Sequence, residues 1–281
     1  MKILFTVNLN KPDAKAITEQ AVKILREHGA VCLLDSKNQS AFDWPSCDCV
    51  NFSQLCGDFD MIITVGGDGT IMNAAKYSVF YDKPLLGINA GRLGFLAGLE
   101  NTDLDKLPLL LEGNYVEHPR MMLKVIHVFK NGELHYTALN DAVLAKAALS
   151  SVIDVQVQYG QRGRMDYRCD SIIFSTPTGS TAYALSNGGP IADPDLSFIA
   201  LAPICPHSLV SRTLLFSERS VIQVRLGEDN RTDAFLLIDG KNVGQVMPDD
   251  HIRIQQCENR LRLISLDHRE FYEVVSKKFF H

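Results

Sequence analysis

Apolar residues in the first third of the chain gather in short runs. Residues 2–7, Val31-Cys32-Leu33-Leu34, Met61 to Val65 and Pro84-Leu85-Leu86-Gly87-Ile88-Asn89 are such runs, too short for helices. Runs of this kind predict strands covered on both faces. Between them the apolar spacing becomes helical. Ile17, Ala21, Ile24 and Leu25 form one stripe of a helix opened by Pro12 and stopped by Gly29. Met72 to Tyr77 predict a second helix, with Thr70 as its cap. Residues 36–58 are polar and broken by Pro45 and Gly57, and read as loop or short helix. Residues 102–112 predict a helix ending at Gly113. Alternating strands and helices predict an α/β domain with a doubly wound parallel sheet.

The pattern changes near residue 115. Met121 to Phe129 and Glu133 to Leu144 flank Asn131-Gly132, a hairpin signal. Val152 to Tyr159, Val221 to Leu226, Phe235 to Ile238, His251 to Gln255 and Leu261 to Leu266 also read as strands. This half predicts a mostly β, sandwich-like domain. From Arg269 to Phe280 the chain reads as a helix, with Phe271, Val274, Val275 and Phe279 on one side. That tail is expected to pack back on the first domain. The expected domains are 1–116 plus about 268–281, and 117–267.

Of the 281 residues, 46% are hydrophobic and 22% charged, enough for a full core. The net charge of −5 argues against a general nucleic-acid or membrane-surface binder. No apolar run approaches the roughly 18 residues of a spanning helix. The segment from Met1 to Asn8 reads as a strand rather than a signal peptide. Seven cysteines without a repeated CxxC framework fit reduced thiols and a cytoplasmic location. Cys47, Cys49 and Cys56 cluster loosely, but no fourth ligand stands at a zinc-like spacing.

Two stretches carry chemistry. The first is Gly66-Gly67-Asp68-Gly69-Thr70, which turns a buried strand into a helix. Glycines let backbone N–H groups approach a ligand closely, and a helix N-terminus favours an anion such as phosphate. Asp68 places a carboxylate in that cradle, where its charge is unfavourable unless it accepts a proton or holds a metal. A tight turn whose Asp caps its own backbone would show the same residues. A second glycine loop, Ala90-Gly91-Arg92-Leu93-Gly94-Phe95-Leu96, follows the next strand. Both loops leave from carboxyl ends of strands, where such sheets bind ligands. The other stretch runs from Asp170 through Ser175-Thr176-Pro177-Thr178-Gly179-Ser180-Thr181-Ala182-Tyr183 to Pro190. An apolar strand here enters a hydroxyl-rich turn and a short helix near Ser180. Its hydroxyls suit ribose or phosphate oxygens, and Tyr183 suits a flat ring. Asn140-Asp141, at the end of a hairpin strand, adds an amide for an adenine edge and a carboxylate for ribose. Asp239-Gly240 reads as a hairpin turn. A capped helix and two ordinary turns are the plainer readings of these residues.

In order and spacing, Gly66 to Thr70, Gly91 to Leu96, Asn140-Asp141, Thr176 to Tyr183 and Leu237-Ile238-Asp239-Gly240 together resemble bacterial NAD kinases, from residue 2 to about 275. The GGDGT turn is shared with lipid kinases and, loosely, phosphofructokinases; the stretch after Asp170 is more specific. The resemblance implies phosphoryl transfer from ATP to the 2′-hydroxyl of the adenosine ribose of NAD, giving NADP. It implies Asp68 as the base or orienting group, and Gly66, Gly67, Gly69 and Thr70 along the phosphates, with Mg²⁺ or another divalent cation. It implies Arg92 and Phe95 in the second loop, Asn140 and Asp141 on the nucleoside, and Thr181, Ala182, Tyr183 and Ser186 along the dinucleotide pocket. Arg168 and Asp170 resemble residues that reach NAD in part from a neighbouring subunit, which implies a homo-oligomer. Asp239 matches the family, but Lys241 stands where relatives commonly carry Gln and would suit a phosphate. Pro206-His207-Ser208-Leu209 also resembles the family, with His207 read as holding a loop. A lipid kinase would need a deep apolar pocket, against the hydroxyl-rich residues 175–181. A non-catalytic NAD sensor would have no use for Asp68.

Overall fold

A computed structural model describes residues 1–42, 49–51, 57–148, 151–160, 163–208, 212–227, 230, 233–266 and 270–280. Cys47, Cys56, Leu209 and Arg269 lie outside the described residues. The chain divides into two units, Met1–Pro119 with Leu261–His281, and Arg120–Arg260.

The first unit is built on one largely parallel sheet. Its elements are β1 (Lys2–Val7), α1 (Ala14–Glu27), β2 (Val31–Asp35), β3 (Cys49–Val50), β4 (Met61–Gly66), α2 (Asp68–Tyr81), β5 (Leu85–Asn89), β6 (Leu99–Glu100), α3 (Pro108–Leu111) and β7 (Val116–Arg120). β1 pairs in parallel with β2 and β4, and β4 with β5, so the loops after β1, β4 and β5 leave from one edge. Every residue of β4 is buried, which is why its sequence is a continuous apolar run. Ile17, Ala21 and Leu25 of α1 pack on the face carrying Ile3, Phe5 and Ile63. On the other face Ile71 of α2 fills the space over Gly87, where a methyl group would overlap it.

Several boundaries differ from the sequence expectation. α1 begins at Ala14, past Pro12, although Gly29 ends it in the left-handed region at φ +86°. α2 begins at Asp68 with Gly67 as its cap; Thr70 lies in the first turn and caps nothing. The segment 102–112 is not one helix. It holds a 3₁₀ turn, Leu104–Lys106, and the short α3, because Pro108 has no N–H to continue the ladder. Within 36–58, Ser36–Ala41 form a 3₁₀ helix capped by Asp35.

The strand Leu261–Ser265 has the alternation of the β-rich half, yet it belongs to this sheet. It pairs in parallel with β5, Leu263 opposite Leu85 and Ile264 opposite Leu86, and lies between β5 and β7. Gly98 makes room for it: a methyl group there would overlap the Ile264 backbone. A tail helix, Phe271–Phe279, follows and sets two rings against Phe95 in the same unit.

The second unit is a sandwich. Its strands are β8 (Leu123–Phe129), β9 (Gly132–Ala138), β10 (Asp141–Lys146), β11 (Ile153–Tyr159), β12 (Gly163–Cys169), β13 (Ser171–Ser175), β14 (Phe198–Ile204), β15 (Leu214–Ser217), β16 (Ile222–Leu226), β17 (Ala234–Ile238), β18 (Lys241–Val246) and β19 (His251–Gln256). One sheet runs β15-β14-β13-β10-β17-β18 and the other β12-β11-β16-β19-β8-β9. Alternate residues of both, among them Leu123, Val155, Ile172, Leu201 and Leu236, close the core between them.

The predicted hairpin forms with its turn one residue earlier, since Gly132 already pairs with Phe129. The run 133–144 is two strands, not one. It breaks at Leu139-Asn140 and passes from one sheet to the other, so Asn140-Asp141 open β10 rather than end a hairpin strand. The hydroxyl-rich stretch folds as a 3₁₀ turn, Thr178–Thr181, and the short helix α4 (Tyr183–Ser186) starts later than Ser180. Among the described residues no helix is long and apolar enough to cross a membrane.

Candidate functional site

The glycine turn places Asp68 at the first position of α2, where the first N–H groups of a helix have no intrahelical partner. A methyl group at Gly66 would overlap the Thr70 side chain, so the turn closes only with glycine there. The Asp68 carboxylate is clamped by the second glycine loop. Phe95 N–H donates to Oδ2 at 2.9 Å and Leu96 N–H to Oδ1 at 3.2 Å. Gly94 is forced by the same approach, since a methyl group on it would overlap the carboxylate. The two loops therefore form one constellation, with Asp68 joined to the second loop as well as to its own turn. Arg92 of this loop is exposed.

Three residues that the sequence reading passed over support this edge. Asn89 is 2% exposed; its amide donates to Glu100 Oε2 at 2.8 Å and its oxygen accepts the Gly91 N–H at 3.1 Å. It ties the start of the second loop to β6. Asn8, just past β1, donates to Thr70 Oγ1 at 3.3 Å, and its carbonyl accepts the Lys11 N–H at 3.0 Å. That turn carries Lys11 between the glycine loops. Its Cε would lie 3.9 Å from a methyl group at Gly67, and its Nζ 3.7 Å from one at Gly91. The signal was available: Lys11 follows the carboxyl end of a buried strand, as both glycine loops do.

In the second unit the turn Asp239-Gly240 is a hairpin turn, with φ +47° and +75°. Its Asp also has a second task. The Asp239 carboxylate accepts the N–H of Leu139 at 3.0 Å, of Asn140 at 2.8 Å and of Asp141 at 3.2 Å. These bonds take the N–H groups freed where the chain leaves one sheet for the other. Asp239 thus sets Asn140 and Asp141 in place. Burial holds the Asp239 carboxyl above its ordinary range, opposed by the three N–H donors and Lys241. Burial, with Asp239 as a like charge beside it, pushes Asp141 up to about 7.

The hydroxyls of the 175–181 turn are mostly spent on the fold. Thr176 Oγ1 donates to Leu139 O at 2.6 Å and accepts the Gly179 N–H at 3.0 Å. Ser175 Oγ donates to Asn140 O at 3.2 Å, and Thr181 Oγ1 to Thr178 O at 3.2 Å. Ser180 Oγ accepts the Ala192 N–H at 3.0 Å. Gly179 lies so close to the Asn140 carbonyl that a methyl group would overlap it. The stretch and Asn140 therefore form one packed unit. Thr178 Oγ1 is buried and without a hydrogen-bond partner among the described residues. Tyr183 is 46% exposed, so its ring is available for stacking; Ala182 is half-buried and Ser186 exposed.

Arg168 and Asp170 stand apart from this group. They precede β13, whereas Thr176 and the hydroxyl turn follow it, a separation of roughly 20 Å along the strand. Asp170 accepts from Lys146 Nζ at 2.8 Å, and Arg168 lies 4.0 Å from Asp154. Arg168 lines two surface clefts of about 630 and 420 Å³ that share Asp166 and Tyr167. His207 donates its backbone N–H to Arg168 O at 2.8 Å, so its backbone holds this segment. Lys241, at the start of β18, is exposed.

A carboxylate clamped in a glycine cradle beside a lysine suits chemistry on phosphate groups. The comparisons agree. The ATP-NAD kinase N-terminal domain family matches residues 3–115, and the ATP-NAD kinase C-terminal domain family matches residues 139–266. The NAD kinase of Natranaerobius thermophilus is 35% identical over 274 residues, covering 96% of this chain and 95% of that protein. NAD kinase 2 of Gloeobacter violaceus is 40% identical over 219 residues, 77% of this chain and 70% of that protein. An NAD kinase from Archaeoglobus fulgidus, solved in complex with ATP, superposes with a TM-score of 0.72 at 26% identity over 99% of this chain and 98% of that one. Yeast NADH kinase, solved with NADH, shares the fold at a TM-score of 0.88 and 20% identity over 100% of this chain and 87% of that one. The two matched domains, together with relatives alike along nearly the whole length, place this chain in the NAD kinase family.

Proposed function

We propose that this chain transfers the γ-phosphoryl group of ATP to the 2′-hydroxyl of the adenosine ribose of NAD, giving NADP. The observation that carries this reading is the carboxylate of Asp68, fixed by two N–H donors at a glycine turn that opens a helix. A ribose hydroxyl is a poor nucleophile until its proton is taken or strongly hydrogen-bonded. Asp68 is the group for that proton. Both its oxygens accept an N–H, which fixes their direction and leaves lone pairs for the hydroxyl.

Gly66, Gly67 and Gly69 bring N–H groups to the donor phosphates, and Lys11 adds a cation there. Among the described residues no three metal-ligating side chains converge. The residues present fit a divalent ion that enters with ATP and takes most of its ligands from phosphate oxygens and water. Bound there, it would spread the charge that develops on the transferred group. Asn140 and Asp141 hold the nucleoside, with Asp239 fixing their backbone. Thr181, Ala182, Tyr183 and Ser186 line the dinucleotide.

Arg168 and Asp170 lie too far along β13 to join Asn140 on one small ligand within one subunit. In a homo-oligomer they would meet the NAD of a neighbouring copy. Purified protein incubated with NAD, ATP and Mg²⁺ should form NADP, read by an NADP-specific enzyme. Asp68→Asn should fold, bind NAD and lose roughly 10²–10⁴-fold in rate. Full activity in that variant would refute the role of Asp68, and no NADP from the folded wild type would refute the reaction.

A further inference from the structure

We infer that the tail helix Phe271–Phe279 is a positioning element for the Asp68 carboxylate, acting through Phe95. The inference rests on the proposed role of Asp68. The loop 90–98 that carries the Phe95 and Leu96 donors contains no helix or strand of its own. Its start is tied by Asn89 and its end enters β6, so the donors lie in the middle of the span. Gly94, next to Phe95, adds no side chain that could stiffen it.

Two side chains hold the middle: Leu96, which is 4% exposed, and the Phe95 ring, whose ring contacts among the described residues all come from the tail helix. Phe279 stacks on the ring, with centroids 5.9 Å apart and planes 28° from parallel. Phe271 meets it at 6.0 Å, and the Lys278 ammonium lies 4.1 Å from its centroid. Phe271 and Phe279 are about two turns apart on the helix, so the ring is held along the helix as well as against it. Val274 and Val275, each 7% exposed, anchor the helix itself. The ring and the N–H that Asp68 accepts belong to one residue. Ring and N–H are joined through only two rotatable bonds, so a ring fixed from two sides limits where the N–H, and with it the carboxylate, can go. Reacting groups misplaced by an ångström can lose about a hundredfold in rate.

The test is a double-mutant cycle between Phe279→Ala and Asp68→Asn, with kcat and both KM values measured. Phe279 is 44% exposed, so its loss spares the core. Phe279→Ala should lower kcat by between about tenfold and a hundredfold, with KM for NAD and ATP held within about twofold. Phe279→Tyr, which keeps a ring, should restore the rate. Phe280→Ala, at a residue 74% exposed beyond the helix, should leave the rate unchanged. On the Asp68→Asn background Phe279→Ala should cost nothing further, because the group it positions is gone. Equal losses on both backgrounds, or a loss that Phe279→Tyr fails to restore, would overturn the inference. With ¹⁵N-phenylalanine labelling, the Phe95 amide resonance should move in Phe279→Ala, and a stationary resonance would overturn it without reference to the reaction. Should Phe279→Ala not fold, Lys278→Gln takes its place in the same cycle. Full activity of Asp68→Asn alone would remove the role of Asp68 and the inference with it, a result distinct from an additive cycle.

Discussion

At the scale of single residues, the site depends on groups that hold other groups. Lys11 is the clearest addition to the sequence reading. If it meets the donor phosphates, Lys11→Ala removes a charge-assisted contact of about 1.5–3 kcal/mol, or roughly 10–100-fold in KM for ATP. The KM for NAD should stay constant, and steady-state kinetics with each substrate varied will separate the two. Asp141 makes a prediction about pH. Its carboxyl titrates at 3.8 in an ordinary setting and at about 7 in the folded chain. Between those values the folded chain keeps a proton that the unfolded chain has lost. Stability from this group is therefore present at low pH, falls as pH rises through that window and levels off above it. In Asp141→Asn the share of the decline due to this group should be absent, leaving the share of Asp239, whose carboxyl burial also raises. Melting curves across the window should flatten, and the variant should outlast the wild type above pH of about 7.

Among the elements, the crossing from β9 to β10 is the joint that builds the nucleoside side. The chain leaves one sheet at Leu139 and enters the other at Asp141, and the backbone groups between need partners. Asp239 supplies acceptors for the N–H groups, while Thr176 bonds the Leu139 carbonyl and the Gly179 N–H. Thr176→Val keeps the shape but leaves both partners buried and unpaired, at about 1–3 kcal/mol. The melting temperature should fall by roughly 3–10 °C, and NAD affinity should fall with it because Asn140 loses its fixed place. Unchanged melting would mean that water replaces the hydroxyl. The glycine loops follow the same logic. Gly66 and Gly94 are required because a neighbouring side chain occupies the place of their missing methyl groups.

For the whole molecule, the decisive feature is the return of the chain to its first sheet. Leu261, Leu263 and Ile264 are nearly or fully buried in a strand between β5 and β7, an interior place in the sheet. Burying each contributes about 1.5–3 kcal/mol, before the lost ladder bonds are counted. Removal of residues 261–281 should therefore unfold the first unit rather than trim it. Circular dichroism and hydrogen exchange should show its strands unprotected while those of Arg120–Arg260 remain. A shortened chain with all its strands protected would mean that β5 and β7 close the gap unaided.

The two-part architecture and most of the elements can be read from the order of residues alone. Their signals are local: buried parallel strands need unbroken apolar runs, sandwich strands need alternation, and glycine turns announce themselves. The glycine turn at Asp68 and the hairpin at Asp239 were legible for the same reason, since each resides in a few consecutive residues, and the family resemblance because it is the order and spacing of several such short stretches. Which sheet takes Leu261–Ser265 becomes visible only in the folded chain, because alternation says that a strand is half-buried but not against what. Only the folded chain shows that Asp239 grips three N–H groups about a hundred residues away, and that the hydroxyls of Ser175, Thr176 and Ser180 serve the fold first. A hydroxyl or carboxylate has the same chemistry wherever it stands. Whether it meets a ligand or a backbone is settled by which distant segment is folded against it.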